Sequence, residues 1–132
     1  MDIVIDTSAL IAVIAGEPER NKIVELTTEN TLIGPGSIPW EIGNAFSAMF
    51  KRKRITLDQV KAALKAYNRI PIRLSNVDLS VSIDLATKLE IYAYDAYVIA
   101  CALKHKCSIL TLDKGLADAA RKSGVKIREE IL

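Results

Sequence analysis

Three consecutive β-branched residues, Ile3, Val4 and Ile5, run straight into Asp6 and then into the apolar stretch at residues 9–15. An unbroken β-branched run suits a strand covered on both faces, as in a parallel α/β sheet, and not the alternating pattern of a strand with one wet face. Thr7 and Ser8 are placed to cap a helix over residues 9–15, which Gly16 and Pro18 close. Asp6 then stands at the carboxyl end of a first strand, on the edge where open α/β sheets bind their ligands. The same aspartate also reads as a turn or cap residue, and this stretch alone leaves both readings open.

The rest of the chain repeats the alternation. Residues 17–29 place Ile23, Val24 and Leu26 among charges, as a surface helix does, and residues 31–33 read as a strand ended by Gly34-Pro35-Gly36. Ser37 reads as the cap of a helix with Pro39 just inside it and Glu41 near the capping-box place. Ile38, Ile42, Ala45, Phe46, Met49 and Phe50 form its apolar stripe, with Glu41 on the flank, about 60° from Ile38. The basic run Lys51-Arg52-Lys53-Arg54 follows, and Thr56 opens a helix that turns Val60, Ala63, Leu64 and Tyr67 inward. Beyond Pro71 come an extended piece at 72–74 and a helix at 78–90 with Leu79, Ile83, Ala86 and Leu89 at core spacing. The most apolar helix, 94–106, has Asp95 in its first turn. A second buried strand at 108–112 ends on Asp113, a helix at 116–122 closes at Gly124, and residues 125–127 read as a last strand. One doubly wound α/β domain over residues 1–132 is the simplest account.

At 132 residues the chain is long enough to bury one proper core, and with half its residues apolar and 26% charged it is globular rather than disordered. A net charge of +2 is too small to argue for nucleic acid by itself, so only local patches count. Cys101 and Cys107 have neither zinc-type spacing nor a CxxC arrangement and read as reduced packing thiols of a cytoplasmic protein. Asp2 and Asp6 flank the only hydrophobic run near the start, which does not suit a signal peptide. The charge-poor stretch at 91–103 is too short for a bilayer, so no membrane association is expected.

Asp6 and Asp113 both end buried strands, and in a parallel sheet two such ends share one edge. Glu41 and Asp95 both lie in first helical turns, which begin on that same edge. Four converging carboxylates either share protons or hold a hard cation, and oxygen-only ligands suit Mg²⁺ or Mn²⁺. His105, the only histidine, rules out a histidine-rich zinc site, and no Ser-His-Asp set or Gly-rich phosphate loop can be assembled.

At this point the sequence resembles a known family. Asp6-Thr7-Ser8, Glu41-Ile42-Gly43-Asn44-Ala45, Tyr94-Asp95-Ala96-Tyr97 and Leu110-Thr111-Leu112-Asp113 match, in order and spacing, the motifs of PIN-domain ribonucleases, and among them the VapC-like toxins of toxin–antitoxin pairs. The resemblance covers essentially the whole chain. It implies a three-layer α/β/α domain with a mainly parallel central sheet, and an endoribonuclease whose Asp6, Glu41, Asp95 and Asp113 form an acidic Mg²⁺ or Mn²⁺ site. Thr7, Ser8, Asn44 and Thr111 match the family's supporting polar residues. A cognate antitoxin and a homodimer are implied as partners.

Other readings stay beside this one. Asp95 and Glu41 also suit helix starts as dipole or capping acids. Lys51, Arg52, Lys53 and Arg54 read either as an RNA-contacting patch, with Arg69 and Arg73, or as a solvated helix end. Trp40, Tyr92, Tyr94 and Tyr97 read as core or subunit-interface residues in preference to base-stacking platforms. An inactive PIN-like RNA-binding or regulatory module, or another metal-dependent phosphatase or DNA nuclease on a similar sheet, remains as an alternative function.

Overall fold

The computed structural model describes all residues, 1–132. Strand β1 (Asp2–Ile5) leads into α1 (Thr7–Ile14) and α2 (Arg20–Thr27), and β2 (Thr31–Pro35) into α3 (Ile38–Lys51) and α4 (Leu57–Asn68). Then β3 (Ile72–Ser75) leads into α5 (Leu79–Leu89) and α6 (Ala93–His105), and β4 (Ser108–Leu110) into α7 (Lys114–Lys122) and a 3-10 turn at Glu129–Ile131. The four strands form one parallel sheet in the order β3-β2-β1-β4. The expected last strand is reduced to a single parallel bridge, Ile127 with Ile109.

The β-branched opening explains why β1 is central. Ile3 and Ile5 point into one core with residues of α1 to α4, whereas Val4 points into a second core with α6 and α7. All three are essentially inaccessible to water, as a strand covered on both faces requires. Two helical layers therefore sandwich the sheet, and the chain is a three-layer α/β/α domain. Both cysteines are free thiols. Burial among the helices pushes the Cys101 thiol up to about 12, so it is an inert packing group.

Three sequence expectations shift. Strand β2 continues through Gly34 and Pro35 instead of stopping before them, pairing with Leu74 and Ser75 of β3. Gly34 leaves room there for the Ile38 side chain, which a Cβ would displace, so Ile38 packs closely on the strand at the start of α3. Strand β4 ends at Leu110, two residues short of expectation, because Leu112 and Asp113 turn toward α1 and α7. Helix α5 sits turned by roughly 80° from the face read off its pattern. Ser82 is its one fully buried residue, with Leu85 and Leu89 against the second core, while Leu79 and Ile83 face outward. Edge strand β3 offers little cover on that side.

Candidate active site

With the order β3-β2-β1-β4, the chain winds away from β1 in both directions, so the switch point lies between β1 and β4, the place where open α/β sheets open a crevice at their carboxyl edge. The Asp6 N–H donates to the Leu110 carbonyl at 3.3 Å across this point. Asp6, one residue past β1, is buried; Asp113, past β4, is exposed; Glu41 and Asp95 are half-buried in the first turns of α3 and α6.

Asp6 is itself the N-cap of α1. Its backbone is extended and its Oδ1 accepts the Ala9 N–H at 3.0 Å, so the helix begins at Thr7; the cap expected of Thr7 or Ser8 is displaced by the carboxylate before them. The Ser8 hydroxyl donates to Oδ1 at 2.7 Å, and the fully buried Thr111 hydroxyl donates to Oδ2 at 2.6 Å. The same two hydroxyls accept the N–H groups of Leu112 and Asp113, at 3.0 and 2.9 Å, which ties the loop after β4 to the start of α1. Asp6 is thus both the cap and the centre of a web that fixes the switch point.

Glu41 is held by two hydroxyls, Ser37 at 2.7 Å to Oε2 and Thr7 at 3.3 Å to Oε1. Ser37 occupies the N-cap place, yet its backbone is already helical and its hydroxyl makes no capping bond. The expected capping role gives way to an i,i+4 bond to Glu41, which lies one residue beyond the box position. This partnership was open to reading from the spacing, and the capping reading obscured it. Asn44, one turn further along α3, is exposed and makes no protein hydrogen bond. Asp113 caps α7 by accepting the Leu116 N–H at 3.1 Å through Oδ1, while Asp95 accepts no protein hydrogen bond at all.

Electrostatics links the four. Burial pushes Asp6 up to about 6, with the Asp113 charge adding to the rise and the bonds from Thr111, Ser8 and Ala9 opposing it. Asp95 is also raised, first by burial and then by the negative charges of Asp113 and Glu41. The acids therefore feel one another, as converging carboxylates must. The donor set, oxygen throughout, fits a hard cation in kind. No three of these side chains stand close enough to grip one ion between them. Free lone pairs are found on Asp95 and on Oδ2 of Asp113, whereas Oδ1 of Asp6 is already doubly bonded.

The basic run lies elsewhere. Lys51 is ten residues after Glu41, about 15 Å along α3, and Lys51, Arg52, Lys53 and Arg54 are all exposed and free of ion pairs. A cleft of about 690 Å³ opens at the opposite, amino edge of the sheet, between Met1, His105 and Lys126, away from the acids. Trp40, Tyr92 and Tyr94 are 73%, 87% and 52% exposed, so of the two places expected for them, core or subunit interface, they do not occupy the core. Each lies near a helix start, where the neighbouring positions already supply the core face.

A parallel three-layer domain with acids gathered at its switch point defines a class of α/β proteins built to meet a ligand at the carboxyl edge. Residues 3–122 match the PIN domain model, and the chain belongs to the PIN-domain family. Its fold is similar to that of PAE2754 from Pyrobaculum aerophilum, at 19% identity and a TM-score of 0.69 over 98% of this chain and 85% of that one. It is also similar to VapBC2 from Rickettsia felis, solved bound to a DNA fragment from their promoter, at 16% identity and a TM-score of 0.70 over 97% and 98% of the two chains. A third similar structure is Mycobacterium tuberculosis VapC20, a Sarcin-Ricin loop cleaving toxin, at 16% identity and a TM-score of 0.63 over 89% and 94%. No match is found among curated protein sequences. No helix is long and apolar enough to cross a membrane.

Proposed function

We propose that this protein is a Mg²⁺- or Mn²⁺-dependent endoribonuclease, the toxin of a toxin–antitoxin pair, with Asp6, Glu41, Asp95 and Asp113 as its acids. The observation that carries the reading is the gathering of these carboxylates at the switch point, with Asp6 and Asp95 both raised in pKa. Family membership and the likeness to VapC20 and VapBC2 support it. Asp95 and Asp113, with lone pairs free, are the direct ligands in this reading, and Asp6 anchors the loop that carries Asp113 through Thr111. A bound divalent ion supplies a water nucleophile at neutral pH and offsets charge on the phosphate, which bare carboxylates would only repel. Ser37 and Thr7 keep Glu41 turned to the site, and Ser8 and Thr111 keep Asp6 in place. A cognate antitoxin and a second copy of the chain are the partners proposed with it.

The test is cleavage of RNA beside single-stranded DNA in Mg²⁺, in Mn²⁺ and in EDTA. RNA and not DNA should be cut, only with metal, and Asp6→Asn or Asp95→Asn should reduce the rate by about 10-fold to 100-fold. Undiminished cleavage in EDTA overturns the proposal. A second reading, an inactive PIN-like RNA-binding module, draws on the absence of three acids poised around one point. It requires RNA binding with no cleavage in any metal.

A further inference from the structure

We propose that a small uncharged cavity beside Glu41, lined by Ser37, Asn76 and Tyr97, takes the ribose next to the phosphate at the acids and reads its 2′-hydroxyl. The inference rests on the ribonuclease reading and names the side chains that tell a ribose from a deoxyribose.

The cavity, of about 210 Å³, opens at the carboxyl edge between the ends of β2 and β3, where Pro35 and Ser37 meet Ser75, Asn76 and Val77, and Tyr97 lines it from α6. It is smaller than the pockets that hold drug-sized ligands, which suits one sugar and not a whole nucleotide. Bonds fix its place relative to the acids. Ser37 lines it and donates to Glu41 at 2.7 Å, and Tyr97, two residues past Asp95, packs its ring edge to face on Tyr94 with centroids 5.9 Å apart. Neighbouring strands lie about 4.8 Å apart, so the gap between β2 and β3 is roughly 7 Å along the edge from the end of β1, where Asp6 stands. A sugar attached to a phosphate at the acids reaches that far.

No charged side chain lines the cavity, so it suits neither a phosphate nor a cation. Its polar groups are hydroxyls and an amide. Ser37 spends its one proton on Glu41 and can only accept from the cavity, and the Ser75 hydroxyl is engaged with His105 Nε2 at 2.8 Å. The half-buried Tyr97 hydroxyl and the Asn76 side-chain amide have no protein partner, since only the carbonyl of Asn76 is bonded. A small neutral ligand group that donates to Ser37 and accepts from Tyr97 or Asn76 through one atom is a hydroxyl. Pro35 and Val77 supply apolar walls for ring carbons. Of the parts of an RNA strand, the sugar alone is neutral and carries a hydroxyl, and its 2′-hydroxyl, donor and acceptor at once, is what lets a protein tell RNA from DNA at a given site.

The test pairs a change in the protein with a change in the substrate. The substrates are a short oligoribonucleotide and copies of it with one 2′-deoxy nucleotide at each position in turn. At one position beside the cut, the deoxy copy should lose about tenfold in kcat/KM. Tyr97→Phe keeps a ring against Tyr94 and deletes the hydroxyl; it should lose about as much on RNA and little more on that deoxy copy, because both changes remove the same contact. Asn76→Ala, at an exposed position, takes its place if Tyr97→Phe melts lower than the parent. Equal cleavage of RNA and every deoxy copy, a variant that cuts RNA as the parent does, or losses that multiply in full overturn the proposal and leave the ribonuclease reading standing. If nothing is cut in any metal, the ribonuclease reading falls and binding of the same substrates decides the cavity's role. The same non-additive pattern in affinity supports the 2′-hydroxyl contact, and equal affinity for RNA and the deoxy copies overturns it.

Discussion

Asp6 serves the fold and the candidate site with the same carboxylate, and the two uses conflict. Its oxygens cap α1 and bind Ser8 and Thr111, which favours the charge, yet burial wins and leaves it at about 6, above its ordinary 3.8. The folded protein thus binds this proton more tightly than the unfolded chain does. Below about pH 4 both states hold it; between about 4 and 6 only the folded state does, so stability falls as pH rises through that window and the penalty is complete above it. The shift corresponds to about 3 kcal/mol at most. Asp6→Asn keeps an oxygen for Ser8 and Ala9 and lets the Thr111 hydroxyl turn to accept. In EDTA it should melt several degrees above the parent at pH 7, with the gap closing toward pH 4. Thermal melts across that range check this. A variant that melts lower at neutral pH would make Asp6 a cap and nothing more.

Helix starts are the elements from which the site is built. The N-caps of α1 and α7 and the first turns of α3 and α6 bring Asp6, Asp113, Glu41 and Asp95 to one edge, where orphan N–H groups and the helix dipoles favour acids. The other end of α3 does a different job. Lys51 ends the helix, and the turn before α4 exposes Arg52, Lys53 and Arg54, while the Thr56–Gln59 capping box fixes where α4 begins. Charge presented this way positions a phosphate backbone without reacting with it. Changing all four to Gln should weaken RNA binding by about tenfold or more near physiological salt, and lower the slope of affinity against salt, with kcat preserved. Filter-binding titrations at several salt concentrations measure both, and an unchanged slope makes the run a solvated helix end.

At the scale of the whole molecule, the crossovers decide what is covered. Three parallel connections wrap α1 to α4 over one face of the sheet and α5 and α6 over the other, where α7 joins them after β4, and the rotation of α5 leaves Leu79 and Ile83 in water, 62% and 47% exposed. Helix faces of this kind are commonly closed by a symmetric copy, which presents the same patch to itself. The proposed homodimer should form through α5, and light scattering should give a mass of two chains at micromolar concentration, falling toward one chain in Leu79→Asp with Ile83→Asp. A single-chain mass for the unmutated protein removes the dimer.

The sequence by itself determined the order of elements and the family, because periodicity, caps and breakers act over a few residues. Ile3-Val4-Ile5 has the pattern of a strand buried on both sides, and four short motifs at the right spacings carry the PIN resemblance. The four acids were legible as a set because each stands at a strand end or in a helix's first turn. Tertiary structure alone decided which face of α5 is buried, that Ser37 binds Glu41 in place of capping α3, and that Thr111 closes on Asp6 across 105 residues of chain. It also decided that Trp40, Tyr92 and Tyr94 stand in solvent. These outcomes depend on what packs against each element. A hydroxyl within reach of several acceptors, or a helix with apolar residues most of the way round, takes its partner from neighbours that local sequence does not specify.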